Sequence, residues 1–214
     1  MRIPLANKLK KRLHSETAFL QDEVIDIVYG LEPNAVLHGG TAIWRCYQGN
    51  RFSEDLDFYF IIGENLEREL TKRIKERNLQ LIKYKKTENV VFSKISNNNV
   101  EVRLEVNFLP QDKDIVVRPY EKIDGSFIDI FTLSPEQLLV EKINAYNSRR
   151  LIRDIYDIHH LIRYQEKKEE TNNLLKSFVY KIKKPVDEEN LKAIVYTGAI
   201  PSFKQILEAL KRGI

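Results

Sequence analysis

Apolar positions near the start of the chain recur at close to helical spacing. Leu13, Phe19, Leu20, Val24, Ile27 and Val28 form one stripe between about residues 8 and 30, and Gly30 and Pro33 follow as stop signals. This predicts a long helix. The short apolar run 35–38 then ends in Gly39-Gly40, and residues 41–47 follow before Gly49-Asn50. Strand, glycine turn and short helix are the expected order. Leu56, Phe58, Phe60 and Ile62 alternate with Asp55, Asp57, Tyr59 and Ile61, the pattern of a strand whose far end is covered on both faces. Residues 64–77 read as a charged amphipathic helix. Residues 79–87, 89–96 and 100–109 read as a three-strand meander broken by turn residues such as Asn97-Asn98-Asn99.

A further strand is expected around 126–133. Ser134-Pro135-Glu136-Gln137 then has the chemistry of a helix start, with Ser134 as cap, Pro135 at the first position and Gln137 completing a capping box. That helix is expected over 135 to about 146. Beyond it Ile152, Ile155, Ile158 and Ile162 fall three or four apart, and residues 172–181, 188–196 and 202–211 repeat the helical pattern. The fold class implied is α+β: a mixed β-sheet core with flanking helices and a C-terminal helical bundle, divided as 1–133 and 134–214.

At 214 residues and 43% apolar content, the chain is long enough for one large domain and too apolar for disorder. The single Cys46 rules out an internal disulfide framework and makes a reducing cytoplasm the default compartment. No apolar run approaches the roughly 18–20 residues of a membrane span, and the N-terminus becomes charged at Lys8 before a signal sequence can develop. The net charge of +4 is small, but residues 142–184 carry eleven Lys/Arg against five Asp/Glu. Such a block can neutralise phosphates or form solvated helix faces.

The sharpest chemical feature is Asp55-Leu56-Asp57. On a strand, a period of two sets both carboxylates on one face, where two hard oxygen ligands can bridge Mg²⁺ ions. Upstream, Gly39-Gly40-Thr41 occupies a strand-to-helix turn. Missing Cβ atoms and free N–H groups there suit a phosphate. A phosphate cradle beside a carboxylate pair is what phosphoryl or nucleotidyl transfer requires. A third carboxylate is expected from the strand 100–109, where Glu101, Arg103, Glu105 and Asn107 share a face, and Glu105 is the choice for its central place. Asp154 and Asp157 can pair at helical spacing with Arg150 and Arg153 as a surface ion network. Alternatively Lys142 meets a triphosphate while Asp154 holds that lysine or acts as base.

Taken together, Leu37-His38-Gly39-Gly40-Thr41-Ala42, Arg51-Phe52-Ser53-Glu54-Asp55-Leu56-Asp57-Phe58, Glu141-Lys142 and Arg153-Asp154-Ile155-Tyr156-Asp157-Ile158 resemble the AbiEii-type nucleotidyltransferases, the toxins of type IV toxin–antitoxin and phage abortive-infection systems. The resemblance implies a DNA-polymerase-β-like nucleotidyltransferase fold, Mg²⁺, an NTP substrate and a cognate antitoxin partner. It further implies an RNA acceptor, in some members the 3′ end of tRNA. Ser53 and Asp55 match the family's Ser-x-Asp, Asp57 its second carboxylate, Lys142 the motif lysine and Asp154 the late Asp. Gly39-Gly40-Thr41 matches its Gly-Gly-Thr. No quoted motif fixes the third metal carboxylate, so Glu105 rests on spacing. A nucleotide- or RNA-binding module without turnover, and transfer to a small molecule or protein, are the competing readings.

Arg51 is the expected phosphate contact in preference to the basic run 8–12, and Lys181, Lys183 and Lys184 are candidates for RNA backbone. Trp44 and Cys46 are read as core residues. The adjacent His159-His160 cannot share a helix face, and no zinc site is expected.

Overall fold

The computed structural model describes residues 3–61, 63–108, 112–166 and 169–213. The first half of the chain supplies α1 (Leu5–Lys8), α2 (Arg12–Leu31), β1 (Val36–His38), α3 (Gly39–Cys46), β2 (Leu56–Tyr59), α4 (Leu66–Glu76), β3 (Gln80–Lys86), β4 (Val90–Ser96) and β5 (Glu101–Asn107). The second half supplies β6 (Ile115–Glu121), β7 (Phe127–Leu133), α5 (Pro135–Arg149), α6 (Ile152–Leu161), α7 (Glu169–Lys181), a 3-10 turn at Glu188–Asn190, α8 (Leu191–Ile194) and α9 (Phe203–Gly213). Among the described residues the strands form one mixed sheet in the order β3-β4-β5-β2-β1-β7-β6. This is the expected α+β architecture.

The order has a functional consequence. β2 lies at the centre, antiparallel to β1 and parallel to β5, with Asp57 paired to His38 on one side and to Glu105 on the other. The β3–β4–β5 meander forms as expected from its turn residues. Asn97 supports the β4–β5 turn, its side chain accepting from the backbone N–H groups of Asn99 and Val100. Val102, Leu104 and Val106 of β5 are buried toward α2, whereas Glu101, Arg103, Glu105 and Asn107 point to the opposite face. A continuous core runs from Leu20 through the sheet to Leu175, Ile206 and Leu210. A smaller cluster of Leu5, Leu9, Ala18, Trp44, Phe52, Ile123 and Tyr196 secures the segment before β2. Trp44 is thus a core residue, its indole N–H donating to the Tyr196 hydroxyl at 3.0 Å.

Several boundaries differ from the pattern-based reading. The first long helix starts at Arg12, because the chain turns between α1 and α2 to bury Leu5 and Leu9 in the smaller cluster. β2 stops at Tyr59, and Ile61, expected to be covered, is 72% exposed; Phe108 is likewise 57% exposed. Ile62 and Leu109 lie outside the described residues. β6 forms where the pattern of residues 115–121 predicts no strand. Pro119 interrupts its apolar run, and a proline is tolerated there because β6 is an edge strand with one side free of ladder bonds. The α5 start is as read, with Ser134 Oγ accepting from the Gln137 backbone N–H. The Ser134 N–H donates to the Asp114 carbonyl, so the reciprocal half of the box is supplied by tertiary structure.

α5 continues to Arg149 and ends at Arg150, whose left-handed backbone (φ 53°, ψ 41°) turns the chain into α6. The break separates Arg150 from Asp154, and burial of Asp157 on α6 turns it away from the surface, so the expected helix-surface pairing with Arg150 and Arg153 is replaced by buried partners. α6 packs on α5, and both aspartates are buried against it and against the residues that precede β2.

Candidate active site

A cleft of about 260 Å³ opens where β2, β5, the start of α3 and the α5–α6 pair meet, lined by Gly40, Arg51, Ser53, Asp55, Asp57, Arg103, Glu105, Lys142, Arg149 and Arg153. Seven of these ten were singled out as site residues by pattern and resemblance. The other three are arginines whose sequence positions gave no reason to prefer them over the chain's many cations.

The carboxylate side comes from the sheet. Asp57 and Glu105 are register partners on parallel neighbouring strands, and Asp55 precedes β2 by one residue. Burial pushes the Asp57 carboxyl above its ordinary range, and the adjacent charges of Asp55 and Glu105 push it further, against the opposing pull of His38 and Lys142. Three hard oxygen donors facing one cleft, with Asp57 held toward its neutral form by burial and its like-charged neighbours, form a donor set suited to a divalent cation. Among the described residues these side chains do not close on one point as a ready-made cage. Arg103 Nη1, 3.6 Å from Asp55 Oδ2, provides partial compensation.

Backbone chemistry holds this side open. Gly39 has φ +71°, and a Cβ there would lie 2.3 Å from Asp57 Oδ2; a Cβ on Gly40 would lie 2.6 Å from Ser53 Oγ and 2.7 Å from Arg51 Nη2. Neither position admits a side chain without moving a cleft residue. Thr41 is fully buried, and its hydroxyl donates to the Asp55 carbonyl at 2.5 Å, so it fixes the loop and does not face the cleft. Residues 52–55 have no regular structure, and their carbonyls need other donors. The buried Gln21 amide supplies them, donating to Ser53 O and Glu54 O at 2.9 and 3.0 Å. No local pattern could have identified Gln21, thirty-two residues away on α2.

The cationic side is built on two buried acids. Asp157 accepts from Arg51 Nε and Nη2 at 2.5 Å each and lies 2.9 Å from Lys142 Nζ. Asp154 accepts from Arg149 Nε and Nη2 at 2.8 Å each, with Lys142 Nζ 3.5 Å away. Burial alone would raise the Asp157 carboxyl and lower the Arg51 guanidinium, but their mutual attraction moves both the other way, so the pair is held ionised. The Arg149 guanidinium is raised by its hydrogen bonds to Asp154. Arg51, Lys142 and Arg149 therefore reach the cleft as fixed charges. Asp154 itself sits behind the cleft, fully buried. Lys181, Lys183 and Lys184, suggested as RNA contacts, are not in this cleft; Lys181 and Lys183 line a separate hollow with Tyr146, Asn147 and Arg150.

A third anchored acid, Glu141 of α5, lies against β1 and β2. Glu141 accepts from the Tyr59 hydroxyl at 2.9 Å and from Lys113 Nζ at 3.0 Å, while His38 Nδ1 lies 3.2 Å from its other oxygen. These partners outweigh burial and hold the Glu141 carboxyl down at about 2. The His38 ring stacks on Tyr59 at 3.8 Å, which places an aromatic pair beneath Asp57 and its neighbour Gly39. The Cys46 thiol is buried, as expected for a core residue, and is pushed up by that burial.

The family model for the nucleotidyl transferase AbiEii toxin of type IV toxin–antitoxin systems matches residues 27–209. No curated protein sequence matches the chain significantly. Among solved structures, JHP933 from Helicobacter pylori superposes with a TM-score of 0.64 at 23% identity, covering 90% of this chain and 88% of that one. The nucleotidyltransferase toxin MenT4 from Mycobacterium tuberculosis superposes with a TM-score of 0.65 at 16% identity, covering 98% and 86%. At these identities the two structures support the fold.

Proposed function

The chain belongs to the AbiEii nucleotidyltransferase toxin family, and from that premise we propose that it moves a nucleoside monophosphate from an NTP to the 3′-hydroxyl of an RNA, with tRNA as the acceptor and a cognate antitoxin protein as its restraint. Family membership makes it a transferase. Among the described residues, no helix is long and apolar enough to cross a membrane.

The observation that carries this reading is the opposition, across one cleft, of Asp55, Asp57 and Glu105 to Arg51, Lys142, Arg149 and Arg153. The three carboxylates are the residues to hold Mg²⁺. Bound there, Mg²⁺ supplies Lewis-acid activation of the attacking hydroxyl and neutralises phosphate charge. The remaining work falls to the chain. Gly40 leaves room for the triphosphate to approach the start of α3, and the Ser53 hydroxyl beside it is placed to donate to a phosphate oxygen. Arg51 and Lys142, locked by Asp157, and Arg149, locked by Asp154, meet the charge that grows on the departing pyrophosphate without having to reorganise. Asp154 is in this reading a positioning residue that holds Lys142 and Arg149. The O3′–Pα bond forms as the bond from Pα to pyrophosphate breaks, and the 3′-hydroxyl proton passes to a carboxylate oxygen of the Asp55, Asp57 and Glu105 set.

The test is incubation of the purified protein with Mg²⁺, each α-³²P-labelled NTP in turn and total RNA, with Asp55→Ala as control. A labelled band of tRNA size with one NTP, absent in the variant, is the expected result. Label on protein or on a small molecule would move the acceptor to another class, and NTP binding with no labelled product from any extract would reduce the reading to a binding module.

A further inference from the structure

We propose that the solvent face of the β3–β4–β5 meander is a binding platform for the single-stranded 3′ end of a polynucleotide acceptor, leading it into the cleft. The proposal rests on the transfer reading above and assigns a surface to its polynucleotide acceptor.

Directly paired residues of neighbouring strands point to the same side of a sheet. The register sets Lys83 beside Lys94 and Lys94 beside Arg103, and in the next row Lys85 beside Phe92 and Phe92 beside Glu105. Glu105 in turn pairs with Asp57. One face therefore reads, from the sheet edge inward, as lysines, then an aromatic ring with a lysine, then Arg103 and Glu105, then the cleft carboxylates. The opposite face carries Val91, Ile95, Val102, Leu104 and Val106 and is buried.

The side chains act as the register requires. Lys83 Nζ and the Arg103 guanidinium each lie 5.5 Å from the Phe92 ring centroid, on a ring that is half-buried. Lys83 and Lys85 are exposed, and Arg103 both meets this ring and lines the cleft. A partly open aromatic flanked by cations offers a base a stacking surface and its phosphates neutralisation, independent of base identity. The surface is continuous with the cleft through Arg103 and Glu105, so a strand bound along it delivers its terminal hydroxyl toward Asp55 and Asp57. Lys94 is ion-paired with Glu101 at 2.7 Å, so Lys83, Lys85 and Arg103 are the cations set to meet phosphates, and a small-molecule acceptor would have no use for cations at the sheet edge, two strands out from the cleft.

The experiment measures binding separately from transfer. The probe is a 5′-fluorescein RNA hairpin with a four-nucleotide single-stranded 3′ end, titrated against wild type, Lys83→Gln/Lys85→Gln, Phe92→Ala, Phe92→Tyr and Asp55→Ala by anisotropy across a salt series. The lysine pair should weaken binding about tenfold and lower the log–log salt slope by about 1.4, the single-strand value for two phosphate contacts. Phe92→Ala should cost about tenfold with an unchanged slope, and Phe92→Tyr should restore affinity. Asp55→Ala should lose transfer while binding the hairpin at least as tightly as wild type, since Arg103 is then freed of its neighbouring carboxylate. Affinities within twofold of wild type in both the lysine and Phe92→Ala variants would overturn the platform, as would a wild-type protein that labels protein or a small molecule in place of RNA. Retained transfer by Asp55→Ala would instead sink the catalytic reading, and the binding titrations would still judge the platform.

Discussion

Replacing Asp157 by Asn removes the anion that fixes Arg51 and Lys142 while keeping nearly the same volume. The side chain is 1% exposed and accepts two charged hydrogen bonds from Arg51 at 2.5 Å each, with the Lys142 ammonium 2.9 Å from its Oδ2. Asn offers one carbonyl acceptor and turns an amide N–H₂ toward a cation, leaving buried positive charge uncompensated. Removing one partner of a buried pair costs about 3–5 kcal/mol. For a chain of this size each kcal/mol shifts the melting temperature by about 2–4 °C, so Asp157→Asn should melt about 6–20 °C below wild type. The Asp157 carboxyl is held below its ordinary range, so its contribution is present above the unfolded carboxylate pKa of about 3.9 and is lost as pH falls through the folded value. The gap between wild type and variant should stay constant from about pH 5 to 8 and close under acid. Thermal melts of Asp157→Leu, Arg51→Met and the double variant complete the test. Replacing the pair by apolar groups should recover much of either single loss, with a coupling of about 2 kcal/mol or more. A cost below about 1 kcal/mol for Asp157→Asn, or additive single effects, would refute a buried charge pair holding the cationic wall.

Other expectations follow from the same geometry. Asp57→Asn should abolish nucleotidyl transfer yet raise the melting temperature at pH 7: a carboxyl pushed up by burial and by Asp55 and Glu105 loses stability as pH rises from its unfolded to its folded pKa, so its gain should vanish below about pH 4. Glu141→Gln should remove on the order of 3 kcal/mol at neutral pH, because a carboxyl held down at about 2 adds stability above its unfolded pKa that is lost as pH falls toward 2; urea melts at pH 7 and pH 3 measure how far the two proteins converge. Gly39→Ala should cost about 1–2 kcal/mol for its left-handed backbone. It should also reduce transfer by far more than that stability loss explains, since the added Cβ displaces Asp57 Oδ2; steady-state kinetics on the folded variant test this, and unimpaired kcat would contradict it.

The elements whose signals are local were legible. Ser134-Pro135 marks the start of α5 because capping is decided within three residues, and the Asn97–Asn99 turn closes its hairpin for a similar reason. The candidate site was legible where its residues lie close in sequence: Gly39-Gly40, Ser53, Asp55 and Asp57 come from two short stretches, and all but Gly39 line one cleft. Glu105 joins them there by register, as its place on a strand face suggested.

The carboxylate pair, the glycine turn, the family motifs and the alternation of sheet and helix can be read along the chain, because each depends on side-chain periods of two or 3.6 and on neighbours a few residues apart. Asp154 keeps the lysine that the resemblance assigned to it, Lys142, and adds Arg149 from the end of α5, but only the folded chain shows that Asp157 pairs with Arg51. Spacing offered Arg150 and Arg153, but the left-handed turn at Arg150 separates it from Asp154, and Asp157 is buried on the side of α6 that meets Arg51, more than a hundred residues away in sequence. Tertiary structure likewise selected Gln21 to satisfy the loop at Ser53 and assembled Lys83, Phe92 and Arg103 on one face. Buried charges and bare carbonyls must find partners wherever the packed chain places them, and the identity of those partners is a property of the whole fold.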